Sequence, residues 1–156
     1  MIEVTIPGRR AYRFEHLVLD LNGTIAADGE IIEGVAERLY SLGKLLSIAV
    51  VTADTHGSAS RLGADLHARI HRVERGAEDV RKLALVQRLG EETTVAIGNG
   101  CNDVSMLKEA ALGICVIGAE GAATEAAISS DVVVTSICAA LDLLINTDRL
   151  VATLRR

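Results

Sequence analysis

The stretch VLDLNGT, residues 18 to 24, decides how the rest of the chain is read. An apolar run beginning at Leu17 carries one carboxylate, Asp20, near its end, and Asn22-Gly23 just beyond it is a strong short-range signal for a hairpin turn. A hairpin needs a second alternating strand, and the following IAADGEIIEG does not alternate over any length. The other reading makes LVLDL a buried strand whose tip presents Asp20 to a ligand, with the turn folding backbone amides around an anion. The other strand ends distinguish the two.

Short apolar runs recur at 47 to 52 (SIAVVT), 69 to 73 (RIHRV), 94 to 98 (TVAIG), 113 to 117 (GICVI) and 131 to 135 (DVVVT). Segments of helical period lie between them, around 33 to 43, 57 to 66, 77 to 89, 103 to 111, 121 to 129 and 137 to 145, with a last one near 146 to 155. Strands that are apolar throughout and alternate with helices predict a mostly parallel sheet covered on both faces, the doubly wound α/β class. The opening IEVTI, then Pro7-Gly8, then AYRF predicts a small antiparallel hairpin added at the edge. No linker, repeat or low-complexity segment divides the chain, and its 156 residues are read as one domain.

Composition narrows the function classes. Hydrophobic residues make up 49% and charged residues 24%, a globular balance, and no uncharged apolar run approaches the ~18 residues of a membrane span. The first residues, MIEVTIPGRR, do not read as a secretory signal, so a cytoplasmic location is expected. A net charge of -5 with one Phe, two Tyr and no Trp argues against nucleic acid as a partner, because neither a basic surface nor a stacking platform is available. Cys101, Cys115 and Cys138 show no CxxC spacing, which argues against a disulfide framework or a thiolate zinc site. Cys115 and Cys138 are expected in the core, and Cys101 in a loop.

In open α/β sheets ligands bind beyond the carboxyl ends of the strands. Those ends carry Asp20-Leu21-Asn22-Gly23-Thr24, Thr52-Ala53-Asp54 and Gly98-Asn99-Gly100-Cys101-Asn102-Asp103, and Lys82 lies in the helix before the fourth strand. A phosphoryl transfer through a covalent intermediate needs a carboxylate to attack phosphorus, and a cation and directed donors around the phosphate oxygens. Asp20 is the candidate nucleophile, Thr52 offers a hydroxyl, Lys82 a positive charge, and the amides of Leu21 to Gly23 a concave row of donors. Mg²⁺ takes one or two carboxylates and keeps several waters. Asp20 and Asp103 are the candidate carboxylates, completed by the side-chain oxygen of Asn99 and the backbone carbonyl of Asn22.

The set DLNGT, a strand ending in Thr52, Lys82 and GNGCNDVSML resembles the four motifs of the haloacid dehalogenase superfamily of aspartyl-phosphate phosphotransferases. TAD at 52 to 54 and GNGCND at 98 to 103 resemble, more narrowly, the phosphorylation domain of P-type ATPases and the soluble P-type ATPase-like group. The resemblance covers roughly residues 16 to 145. It implies a Rossmann-like core, Mg²⁺ as cofactor, a phosphorylated substrate, phosphorylation at Asp20, and a phosphoryl group held by Thr52 and Lys82, with Leu21, Gly23, Thr24, Ala53 and Asn102 also on the substrate side.

Two positions depart from the superfamily pattern. Its phosphatases carry, two residues after the nucleophile, an aspartate that protonates the leaving group and activates water, and this chain has Asn22, an amide that can do neither. The fourth motif begins Gly-Asp-Gly in the superfamily and Gly98-Asn99-Gly100 here, so one negative charge near Mg²⁺ is lost. Acid-base catalysis is worth about 10²- to 10⁴-fold, so hydrolysis slower than a phosphatase's is expected. P-type ATPases also lack that aspartate, which suggests a comparatively long-lived aspartyl phosphate. The intervals from Asp20 to Thr52 and from Thr52 to Lys82 are filled by core elements, leaving no room for a cap domain. The open site implies a large substrate, a partner protein over the mouth, or closure by another subunit of a homo-oligomer.

Other candidates carry structural alternatives. His67 and His71 have metal-pair spacing, yet the second falls in a predicted strand. His56 is either substrate-facing or an ordinary loop residue, and Asp54, Asn102 and Asp103 are helix-start residues as well as site candidates. Arg81 competes with Lys82 for the inward position. Beside the enzyme stands a second function class, a degenerate regulatory module that holds phosphate and metal without turnover. A signalling receiver domain fits less well because Asp20 is on the first core strand, and a dinucleotide-binding domain less still because GNGCND lacks a third glycine.

Overall fold

Leu17, Val18 and Leu19 are all completely buried, as a central strand covered on both faces requires. The computed structural model describes residues 1–53 and 64–156. The stretch from His16 to Asp20 is β3, the third strand after β1 (Ile2–Thr5) and β2 (Ala11–Phe14). With β6 (Ser47–Thr52), β7 (Arg69–Arg72), β8 (Thr94–Gly98), β9 (Leu112–Val116) and β10 (Val132–Val134) it forms a six-stranded sheet. The order is β10-β9-β8-β3-β6-β7 and every pairing is parallel.

Alternation along the strands feeds two cores. Leu17, Leu19, Ile48, Val50, Val95, Ile97 and Ile114 face one side, under α1 (Val35–Leu42), α5 (Ile137–Ile145) and α6 (Thr147–Leu154). Val18, Ala49, Val51, Ala96 and Cys115 face the other, under α2 (Glu78–Leu89), α3 (Val104–Glu109) and α4 (Thr124–Ser129). Each fully buried Leu or Val contributes roughly 1.5–3 kcal/mol, so β3, covered on both faces, is firmly held and a rigid base for Asp20.

Two expectations are refined. The amino-terminal hairpin β1–β2 is a separate two-stranded sheet, not an addition to the main sheet's edge. It sits at the amino ends of the strands, where Glu15 bridges Thr93 and Ser47 through its backbone, far from the carboxyl-end mouth. After Asp20 the chain does make a hairpin, but only the two-residue ribbon β4 (Ala26–Ala27) with β5 (Glu30–Ile31). The helix expected at 57 to 66 falls largely outside the described residues, as do Asp54 and His56. Among the described residues no second domain is inserted between the core elements, and no helix is long and apolar enough to cross a membrane.

Candidate active site

β3 lies between β6 and β8, so the chain reverses its direction of progress across the sheet at β3. Ligands bind in such a crevice, outside the strand ends. Asp20 ends β3 opposite Val51, which places Thr52 one residue further along on the neighbouring strand, and Gly98 ends β8 on the other side.

Lys82, in the second turn of α2, is 1% exposed. Its Nζ donates to Asp20 Oδ1 at 2.7 Å and to Asp103 Oδ1 at 2.6 Å. Asp103, wholly buried, accepts at its other oxygen from the backbone amides of Asn99 and Gly100, both at 2.9 Å. That geometry demands glycine at position 98, where a Cβ would sit 2.5 Å from Asp103 Cγ. Thr24, also buried, reaches Asp20 Oδ2 at 3.4 Å and Asn99 Oδ1 at 3.3 Å through its hydroxyl, linking the first and fourth motifs.

Two carboxylates share one ammonium in a site hidden from water, so one negative charge is left over. Burial, and then the charge of Asp103, push the Asp20 carboxyl up to about 6 against the opposing pull of Lys82. Burial works to lower the Lys82 ammonium, but the two carboxylates outweigh it and hold its pKa above the ordinary lysine value. The uncompensated charge, together with oxygen donors from Asp20, Asn22 and Asn99 on the cleft wall, suits a small hard cation such as Mg²⁺. Among the described residues no group of three or more His, Cys, Asp and Glu side chains is arranged to hold a metal ion, so amide and carbonyl oxygens and water would have to complete the shell of a bound cation.

The cleft above this cluster encloses about 540 Å³. Of the expected residues, Asp20, Asn22, Thr52, Ala53, Lys82, Asn99 and Asn102 line it. Asp103 stands behind Lys82 instead, with both oxygens engaged, so it braces the ammonium and the Gly98–Asp103 loop. Thr24 lies beneath the mouth, and Leu21 is buried with its carbonyl accepting from Ile25 and Ala26. The Gly23 amide donates to Ala26 at 2.8 Å, so the turn itself uses one of the donors expected to face phosphate.

Arg75, Glu78 and Glu120 also line the cleft, and motif reading missed them. Glu120 follows the carboxyl end of β9, so the strand-end rule that located Asn99 would have found it. Arg75 and Glu78 lie between β7 and Lys82, where no motif residue drew attention. His67 and His71 do not pair: His67 packs against the Tyr40 ring at 5.0 Å, and His71 sits in β7 beside a separate cavity. Arg81 lines that cavity too, which leaves Lys82 as the inward cation. Cys101 is exposed, Cys115 buried and Cys138 half-buried, all as free thiols.

Residues 77–136 match the model of the haloacid dehalogenase-like hydrolase family. An uncharacterized protein of Methanocaldococcus jannaschii is 48% identical over 91 residues, 56% of this chain and 98% of that protein. A probable phospholipid-transporting ATPase of Arabidopsis thaliana is 45% identical over 58 residues, which are 35% of this chain and 5% of the transporter. Among solved structures, a 3-deoxy-D-manno-octulosonate 8-phosphate phosphatase from Moraxella catarrhalis, in complex with magnesium, phosphate and KDO, superposes with a TM-score of 0.69 at 20% identity, covering 90% of this chain and 92% of that one. The cobalt-bound deoxy-D-mannose-octulosonate 8-phosphate phosphatase from Haemophilus influenzae gives 0.72 at 15% identity, covering 88% of this chain and 90% of that one. Motif order, strand order and the matched segment, residues 77–136, together support the haloacid dehalogenase-like hydrolase superfamily for this chain.

Proposed function

We propose that this chain is a Mg²⁺-dependent phosphotransferase or phosphatase that acts through an aspartyl phosphate on Asp20 and releases phosphate slowly. The observation that carries the reading is Lys82, buried and held within hydrogen-bond distance of both Asp20 and Asp103. A lysine is placed so when its charge must meet a second anion beside a carboxylate. An Asp20 oxygen attacks phosphorus, the bond from phosphorus to the leaving oxygen breaks, and the leaving group departs with the electron pair. Lys82 and the Thr52 hydroxyl face the transferred oxygens, and Arg75 is placed to meet the rest of an anionic substrate. Asp20, the Asn22 carbonyl and Asn99 would hold Mg²⁺, which when bound neutralises charge on the phosphoryl group. Asn22 can neither protonate the leaving group nor activate water, which favours a long-lived intermediate.

The cleft is open, and a large phosphorylated substrate, a partner protein or a second subunit is the proposed cover. The substitutions at Asn22 and Asn99 also support a second reading, a regulatory module that binds phosphate and metal without turnover. Mass spectrometry after incubation with acetyl phosphate and Mg²⁺ separates them. An added phosphoryl mass on the Asp20 peptide, absent from Asp20→Asn, supports the enzyme; its absence from both chains rejects it.

A further inference from the structure

The edge strand β7 leaves one flank of α2 overhanging the sheet, and a second cavity of about 310 Å³ opens there. Arg81, Leu85 and Arg88 lie on one helical stripe facing it, and His71 and Arg72 come from the strand. Three guanidiniums thus surround one cavity against a single carboxylate, Glu74, in a chain whose net charge is -5. Arg9, Arg10, Arg13, Arg38 and Arg149 have carboxylate partners, whereas among the described residues Arg72, Arg81 and Arg88, like Arg69, Arg75, Arg155 and Arg156, have none; what sets the three apart is that they share one cavity. His71 registers the uncompensated field: burial first, and then Arg88 and Arg69, hold its imidazole below the ordinary histidine value. The floor is aliphatic, with Val51 and Leu85 both buried.

We infer that this cavity is a second ligand site, for an organic phosphate carrying at least two negative charges. Guanidinium forks pair with phosphate oxygens in bidentate fashion, and the aliphatic floor suits the organic part, as in ligand sites of roughly 300–1,000 Å³. Its position ties it to the phosphoryl site without overlap. Arg72 pairs with Thr52 across β6 and β7, and Arg81 is the chain neighbour of Lys82, so an occupant bears on both residues that face the transferred phosphoryl group.

Calorimetric titration of the full chain with ADP, in EDTA, tests the site. Saturable binding is expected, weakened at least about tenfold in the triple variant Arg72→Gln, Arg81→Gln, Arg88→Gln and unchanged in Asp20→Asn. Pyrophosphate, which lacks the organic part, should bind several-fold more weakly. Wild-type affinity in the triple variant, loss in Asp20→Asn alone, equal affinity for pyrophosphate, or no binding at all overturns the inference. Methyl spectra of the unmodified chain decide the matter if the triple variant does not fold: ADP should shift the Val51, Val73 and Leu85 signals, and shifts confined to the Asp20 cleft count against it. Aspartyl phosphate formation is read separately, so neither result determines the other.

Discussion

Lys82 Nζ lies 2.7 Å from Asp20 Oδ1 at a position where the lysine is 1% exposed. The pair holds its geometry because Asp103 grips the same ammonium from behind at 2.6 Å. Removing the cation would leave two buried carboxylates facing each other, and breaking a buried pair from one side costs about 3–5 kcal/mol. Lys82→Met should therefore lose stability of that order in urea unfolding at pH 7, and phosphorylation of Asp20 as well. The loss should shrink at pH 5, where a carboxylate can take up a proton. An equal loss at both pH values would mean that packing, not charge, is what Lys82 supplies.

The raised pKa of Asp20, about 6 because of burial and the Asp103 charge, fixes a sign for the pH dependence of stability. The folded chain binds a proton there that the unfolded chain, with the ordinary value of 3.8, has already released. Between about pH 4 and 6 the folded state thus carries more protons, and this group's contribution to stability falls as pH rises, then levels off above 6. A shift of that size corresponds to about 3 kcal/mol. Metal-free unfolding of the wild type and Asp20→Asn should show the wild type losing ground to the variant across that window. A constant difference would place the Asp20 pKa near its unfolded value.

Much of this was legible because the fold repeats one rule, an apolar strand followed by a helix, and because chemistry collects at strand ends. Asp20, Thr52 and Asn99 all lie where that rule puts them. The choice of Lys82 over Arg81 is legible only through the motif resemblance, since adjacent helix positions differ by one step of rotation and packing fixes which one turns inward. Asp103 looked like a cleft-facing ligand because its motif sits at a strand end. Its 3-10 turn, Cys101–Asp103, directs the carboxylate back toward its own loop amides instead. The β1–β2 hairpin was placed at the sheet edge since sequence gives strand pairing but not which sheet a pair joins. Glu120 belongs to a loop with no motif, so only its place after the end of β9 pointed to it, and its close approach to Gly23 is created by the fold.

Gly23 has a φ of +76°, a left-handed conformation that side chains resist. A Cβ there would also lie 2.6 Å from Asn99 Nδ2 and 2.7 Å from Glu120 Oε2. Gly23→Ala should cost about 1 kcal/mol from backbone strain alone. It should further displace Asn99 from the cleft wall, weakening Mg²⁺ binding by calorimetry more than Gly29→Ala, a control glycine of similar φ with open space around it. Equal Mg²⁺ affinities in the two variants would show that the Gly23 turn does not position Asn99.

Asn22 lines the cleft beside Asp20 and is exposed, so an acid at that position would meet no burial penalty. Asn22→Asp restores a group able to accept a proton from attacking water, a contribution worth about 10²- to 10⁴-fold where it is well placed. Here its partner geometry has not been tuned, and an increase of about tenfold or more in single-turnover dephosphorylation is the expected outcome. The formation of the phosphoaspartate from acetyl phosphate should change less, because acetate is a good leaving group and departs without a proton from position 22. An unchanged dephosphorylation rate with Mg²⁺ bound would mean that another group, with Glu120 and Glu78 the cleft's remaining acids, already activates the water. Glu120→Gln and Glu78→Gln in the same assay would then identify it by the loss of the residual rate.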